Sequence, residues 1–570
     1  MQNWCFCSLD CTIINTGGWH GQIDQIETAI GPASVHWQAQ RRMKREAAPQ
    51  SWLPMVVIAL GQFLMSFNIA ALSMSIGPMV ETFKTAPTTI GTAIVVYSLA
   101  VAAFIMLGAR LGQMFGSLLV FRIAVIIIGI AMALVALAPS IAVVIAAQGL
   151  AGFAAAALVP TLVVLITTNY QGAQQARALG LLGSAGAAAA VLGFLVGGTL
   201  GTLASWRYAF ALLVPIALIA LALSRRVTPV DARPGVTIDG VGVVLAAAAI
   251  IMLSFGFDNL TRWGVLLAGP GAPFDLLGIS PAPAMILAGI LLGQAFFAWA
   301  RKRTLAGKSP LLALEVIESP GERAAVFTLF IVVIIEACVS FLVPLYIMIV
   351  QGQSSLQTGF AIMPFNLSVF FAAMFVVRLY DRLPPRTIAR LALLLIAAGM
   401  AWLALVMRND WTSMPVIIGL VTIGAAQGAL MTLLFNVLVT AAPRQFAGDV
   451  GSVRGTAINL AFSVGTAVSG ALAVGLLTAI VMANLSGNPL IPANLVAEVG
   501  LNTVNFVSND HLRDLLAETS ATPDQLAQAI LINTEARLRA LKIAFLLLAG
   551  LTLLAIIPTG KLAGSTPHKR

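Results

Sequence analysis

Charge is what this sequence has least of. Only 9% of its 570 residues are Asp, Glu, Lys or Arg, against about a quarter in soluble domains. So few charges cannot coat the folded surface of a water-soluble chain this long. Soluble enzymes and disordered scaffolds are therefore excluded. Cysteine is scarce too. Cys5, Cys7 and Cys11 crowd the start and Cys338 lies in an apolar run, which is no framework for a disulfide-built secreted module. The four histidines make no zinc constellation. No Gly-x-x-x-x-Gly-Lys-Ser/Thr loop is present, which argues against ATP-driven pumping. No cofactor motif and no paired nucleophile and base stand out, so the chain does not read as an enzyme.

Apolar sequence fills the space left. The chain is 59% hydrophobic with mean hydropathy +0.96, the composition of a polytopic all-α membrane protein. Helices that cross a bilayer need about 20 apolar residues each. Runs of that size fall near 52–76, 90–110, 118–138, 141–166, 178–201, 207–224, 239–257 and 281–300, numbered spans 1 to 8. Spans 9 to 14 lie near 324–350, 358–378, 388–407, 414–440, 455–482 and 541–559. With the N-terminus inside, 24 of the 32 Lys and Arg fall in cytoplasmic segments, Arg110, Arg444 and Arg454 among them. That asymmetry supports an even span count with both termini cytoplasmic. The formal charge of +10 is then topology, and it does not imply a nucleic-acid partner.

Residues 1–42 are polar and unlike the rest of the chain, and Met43 opens a short basic stretch before span 1. The expectation is a non-native or disordered leader with the chain proper starting at Met43. Residues 43–224 then form an N-terminal six-helix bundle, and 225–323 a linker carrying two extra spans. Residues 324–560 form a C-terminal six-helix bundle that includes a periplasmic loop at 483–540, and 561–570 a cytoplasmic tail. Thr522-Pro523-Asp524-Gln525 reads as a capping box, starting a helix that runs into span 14. A weak internal repeat links the halves: Ala146-Ala147-Gln148-Gly149 in span 4 is echoed by Ala425-Ala426-Gln427-Gly428 in span 12. Such repeats are how secondary transporters are built.

Further stretches carry a resemblance. Gly193 to Phe210 contains Gly197-Gly198 followed by Trp206-Arg207-Tyr208-Ala209-Phe210. Val343-Pro344-Leu345-Tyr346 runs on through Gly352, Gly359 and Pro364, and Gly448 to Gly465 opens span 13. On these, from about 52 to 560, the sequence resembles the major facilitator superfamily, specifically its fourteen-span drug:proton antiporter branch. The resemblance implies two six-helix bundles plus two inserted helices. It also implies alternating access, and export of hydrophobic or amphipathic small molecules against protons across the bacterial inner membrane. An uncoupled or differently coupled facilitator, or a non-transporting membrane sensor, are the competing readings. The implied partners are a small-molecule substrate, the proton and the lipid bilayer. Nothing in the sequence supports a periplasmic adaptor or outer-membrane channel.

The departures from the family pattern are instructive. The charged latch loop after span 2, usually Gly-x-Leu-Ala-Asp-Arg-x-Gly-Arg-Lys, keeps Leu111 and Gly116 around Gly112 but has Gln113 at its acidic position. The span 1 acid falls at Asn68, the span 4 arginine at Ile145 and the antiporter-motif proline at Phe194. The equivalent second-half stretch keeps Arg378, Asp381 and Arg382, which reads as a cytoplasmic gate latch. Neither Asn68 nor Gln113 can titrate. The acid left in mid-membrane sequence is Glu336 in span 9. A charge there is costly and faces a cavity or partner, so Glu336 is the candidate replacement proton carrier or substrate-cation ligand. The competing role is a protonated acid bonded to a neighbouring helix. Gln62, Asn68, Tyr97, Gln148, Asn366, Gln427, Asn436 and Asn459 are candidates for lining the cavity, with interhelical glue or packing as the competing role. Gly193, Gly197 and Gly201, beside Gly198, put a small-residue stripe on span 5, suited to close packing and to sliding during access exchange.

Overall fold

The computed structural model describes residues 51–562, apart from 86, 230–231, 233–235, 265, 270, 275–277, 352–354, 381, 410–412, 486–511 and 514–521. The proposed leader and all but the first two residues of the tail therefore lie outside the described residues. So do Asp381 and most of the 483–540 loop.

Among the described residues fourteen helices are long and apolar enough to cross a membrane. Spans 1 to 7 are Leu53–Met74, Thr89–Phe115, Ser117–Ala136, Ile141–Asn169, Gly172–Gly201, Trp206–Ser224 and Gly240–Leu260. Spans 8 to 14 are Pro281–Leu305, Pro320–Leu345, Gln357–Leu379, Pro385–Val406, Met414–Ala441, Ala447–Asn484 and Pro523–Lys561. Helix is the only open structure that satisfies every backbone N–H and C=O internally in lipid. Local sequence sets the ends. Pro320 follows Ser319, whose hydroxyl and the Glu322 side chain close a capping box, and Thr522 with Gln525 closes another. Gly116 takes φ 89° between spans 2 and 3, a conformation that favours glycine. The last helix starts at Pro523 and continues into span 14, as the capping box implies.

Glycines set how closely the helices approach. A Cβ added at Gly193 would lie 2.7 Å from the Ala70 side chain, and one at Gly197 3.0 Å from Ala71 Cα, so the span 5 stripe packs on span 1. Gly152 of span 4 abuts the Tyr97 carbonyl of span 2, and Gly428 of span 12 abuts the Val369 carbonyl of span 10, both leaving 2.4 Å for a Cβ. Spans 2 and 4 in one half thus correspond to spans 10 and 12 in the other. Spans 7 and 8 pair with each other, and span 7 leans on spans 2 and 13. Only 17% of span 8's apolar window is buried, so this hairpin stands at the periphery with its apolar surface turned to lipid.

The halves touch through their cytoplasmic portions. Ser184 of span 5 donates to the Phe370 carbonyl of span 10 at 3.0 Å, and Ser452 of span 13 to the Ile105 carbonyl of span 2 at 3.2 Å. Gly451 leaves 2.9 Å to Pro160 of span 4. On the opposite side spans 1, 5 and 10 frame a small cavity of about 30 Å³.

Candidate functional site

Asn68 and Gln148 join spans 1 and 4. Each amide donates to the other at 2.9 Å, and both are buried. They bond to one another across the two helices, the interhelical arrangement that competes with a cavity-lining role. In the second half the same repeat puts Gln427 on span 12, and its side chain lies near the Glu336 carboxyl on span 9. Gln148 and Gln427 occupy the same position in the repeated Ala-Ala-Gln-Gly. Glu336 therefore stands in the C-terminal half where Asn68 stands in the N-terminal half. The acid absent from span 1 has its counterpart at the symmetry-related place on span 9.

A cation completes this site. Apolar run length assigns Arg454 to a cytoplasmic segment, but span 13 begins at Ala447, so Arg454 lies inside the helix. The apolar periodicity of span 13 starts late because its first turns carry Asp449 and Arg454, which find partners within the protein. Glu336 and Arg454 act electrostatically on one another. Among the described residues they form no direct ion pair, the two direct pairs being Arg110 with Asp449 and Arg303 with Asp239. The Arg454 guanidinium lies over the Phe435 ring, 4.3 Å from its centroid, with Nε buried and without a hydrogen-bond partner. Gln427 Oε1 and Asn436 Oδ1 are likewise buried without partners.

The other expected positions separate. Asn366 lines the outer cavity with Met74, Val191, Phe194, Thr199 and Met363. Gln62 donates to Ser66 in its own helix, and Asn459 to the Gly455 carbonyl in its own. Tyr97 is buried in the packing of spans 2 and 4. Arg378 covers the Phe375 ring at 4.8 Å, and with Arg382 and Leu383 borders a shallow cytoplasmic hollow. Arg382 is exposed, and Asp381 lies outside the described residues. Asp258 lies near the outer end of span 7 with its carboxyl facing Ser463 of span 13. Hydropathy hides this acid, since it falls at the edge of its apolar run.

The latch after span 2 survives with its charges exchanged. Arg110 Nη2 reaches Asp449 Oδ1 of span 13 at 3.3 Å, and Gln113 Nε2 donates to Asp449 Oδ2 at 3.0 Å. Arg110 also donates to Gln113 Oε1 at 2.6 Å. The family's acid before span 3 is gone, and an acid on span 13 faces a base on span 2 instead. Leu111, Gly112 and Gly116 frame this turn, and a Cβ added at Gly112 would lie 3.6 Å from the Ser117 and Thr161 hydroxyls.

The model of the Major Facilitator Superfamily matches residues 58–466. The chain belongs to that superfamily. Among its relatives, the multidrug efflux pump LfrA of Mycolicibacterium smegmatis is 26% identical over 79% of this chain and 84% of its own. The multidrug resistance protein B homolog of Mycobacterium tuberculosis is 26% identical over 74% and 75%. The solved structure of the proton:xylose symporter XylE superposes with a TM-score of 0.53 at 12% identity, covering 89% of this chain and 94% of that one, a likeness of fold. The chain is thus a major facilitator transporter, a multi-pass protein of the bacterial inner membrane.

Proposed function

We propose that this transporter exports hydrophobic or amphipathic small molecules in exchange for protons, with Glu336 as the proton carrier. The observation that carries the reading is the symmetry of the two half-sites. An amide pair, Asn68 with Gln148, closes the N-terminal position. A carboxyl, an amide and a guanidinium, from Glu336, Gln427 and Arg454, occupy the C-terminal one. An acid beside a cation in low dielectric has two states of different charge and different contacts: ionised and attracted to Arg454, or protonated and released from it. A proton entering from outside can therefore bias the contacts among spans 9, 12 and 13, and a biased equilibrium between two states is what coupling requires.

The substrate class is argued from the outer cavity. Its lining of Met74, Val191, Phe194, Leu195, Phe360 and Met363, with Thr199 and Asn366 as polar points, suits an apolar ligand held by few hydrogen bonds. Methionine and aromatic side chains adapt to different shapes. The efflux and resistance names of the relatives support the same reading. Dye efflux from cells with and without a protonophore tests it. Energy-dependent efflux abolished by the protonophore is the expected result, and efflux that persists sinks proton coupling.

A further inference from the structure

The two inserted spans have so far had no task beyond filling lipid-facing space. Their cytoplasmic base is tightly built. Asp239, at the start of span 7, is buried and accepts from the Gly242 N–H at 3.0 Å and from Trp299 Nε1 of span 8 at 3.0 Å. It also faces Arg303 Nε at 3.5 Å. Arg303 Nε in turn donates to the Ser309 carbonyl at 3.2 Å, tying the segment that leaves the hairpin back to span 8.

That segment runs into the seam between the two halves. Leu311, Leu312 and Ala313 are each buried, at 2%, 2% and 3% exposure. Leu311 accepts from Arg110 Nε at 2.8 Å, and Ala313 donates its N–H to Asp449 Oδ1 at 3.1 Å. The segment thus holds both partners of the span 2 to span 13 latch. Pulling it out would leave a buried guanidinium and a buried carboxylate each short of a hydrogen bond, which is costly in this environment.

We propose that the inserted hairpin is a gate element. Residues 309–313 act as a strap that locks Arg110 to Asp449 while the cytoplasmic side is closed, and they must withdraw for it to open. The proposal rests on the alternating-access reading above.

The test uses the full chain, freed of its native cysteines and reconstituted in liposomes, with Ser184→Cys as reporter behind the cytoplasmic closure. A membrane-impermeant maleimide is applied from the cytoplasmic face. A short Gly-Ser spacer inserted between Lys308 and Ser309 slackens the strap, and Asp449→Asn breaks the latch itself. Both are expected to raise the labelling rate roughly fivefold or more. In the spacer variant, labelling of an outer reporter, Asn366→Cys, should fall, since a population shift closes one side as it opens the other. If both reporters label faster, the spacer has loosened the fold, and Arg303→Ala, which frees Ser309 at the cost of the Asp239 contact, decides by the same criterion. A spacer and an Arg303→Ala without effect beside an active Asp449→Asn would overturn the strap and leave alternating access standing. No effect from any of the three would remove both.

Discussion

Glu336 faces Gln427 across spans 9 and 12 where Asn68 faces Gln148 across spans 1 and 4. The two pairs occupy repeated positions of two helical bundles, and they differ in whether the span 1 or span 9 member can carry a proton. This difference leaves the titratable member of the two pairs in the C-terminal half. It also places Arg454 above Phe435 as the cation acting on Glu336.

The symmetry implies that the acid is movable. Glu336→Gln combined with Asn68→Asp should recover part of the proton-driven transport that Glu336→Gln alone loses. Recovery would be partial because the N-terminal position has Ile145, and no arginine, at the family's basic position. Proton-driven dye transport in vesicles measures it. No gain over Glu336→Gln alone would show that the two positions are not equivalent.

Arg454 should act on transport through its charge. Arg454→Lys keeps a cation near Glu336 and should retain pH-gradient-driven transport, while Arg454→Ala should lose most of it with the protein still folded. The check is to compare gradient-driven uptake with equilibrium exchange for both variants. An alanine variant that transports like the parent would leave Arg454 with a packing role only.

The exchanged latch makes a stability prediction. Arg110 is 5% and Asp449 0% exposed. Removing one partner strands the other, at a cost of about 3–5 kcal/mol. Arg110→Met or Asp449→Leu alone should therefore lower thermal stability more than the two together. A double-mutant cycle in detergent reads this coupling directly. Additive losses would mean that the pair contributes nothing specific.

Close helix approach predicts a graded glycine series. Gly152→Ala must push against the Tyr97 backbone and Gly428→Ala against Val369, while Gly293 has open space around it. The first two should cost about 1–3 kcal/mol, and Gly293→Ala should be neutral or slightly stabilising. Melting curves of the purified variants decide.

Much of this architecture is legible in the sequence. The fourteen spans come from apolar run length, and Glu336 from the cost of burying an acid in lipid. The Ala-Ala-Gln-Gly repeat is visible there, but what it aligns is hidden. That Gln148 meets Asn68 and Gln427 meets Glu336 depends on helices that touch only in three dimensions. Arg454 escapes the sequence because a charge near a helix end looks like a loop residue when hydropathy alone sets the boundary. The latch looks lost for a similar reason. Gln113 cannot carry the family's charge, and Asp449 lies 336 positions further along, so nothing local pairs them. Asn68 and Gln148 read as cavity candidates in the sequence, since an amide in a membrane helix shows nothing of its partner.

On the reading proposed above, proton coupling turns on Glu336. The most direct measurement is uptake of a lipophilic dye, ethidium, into proteoliposomes of the parent and of Glu336→Gln, with and without an imposed pH gradient. If Glu336 carries the proton, the parent accumulates dye only with the gradient, while Glu336→Gln fails to accumulate it yet still exchanges dye at equilibrium. Gradient-driven accumulation by Glu336→Gln equal to the parent's would show that the proton travels by another group.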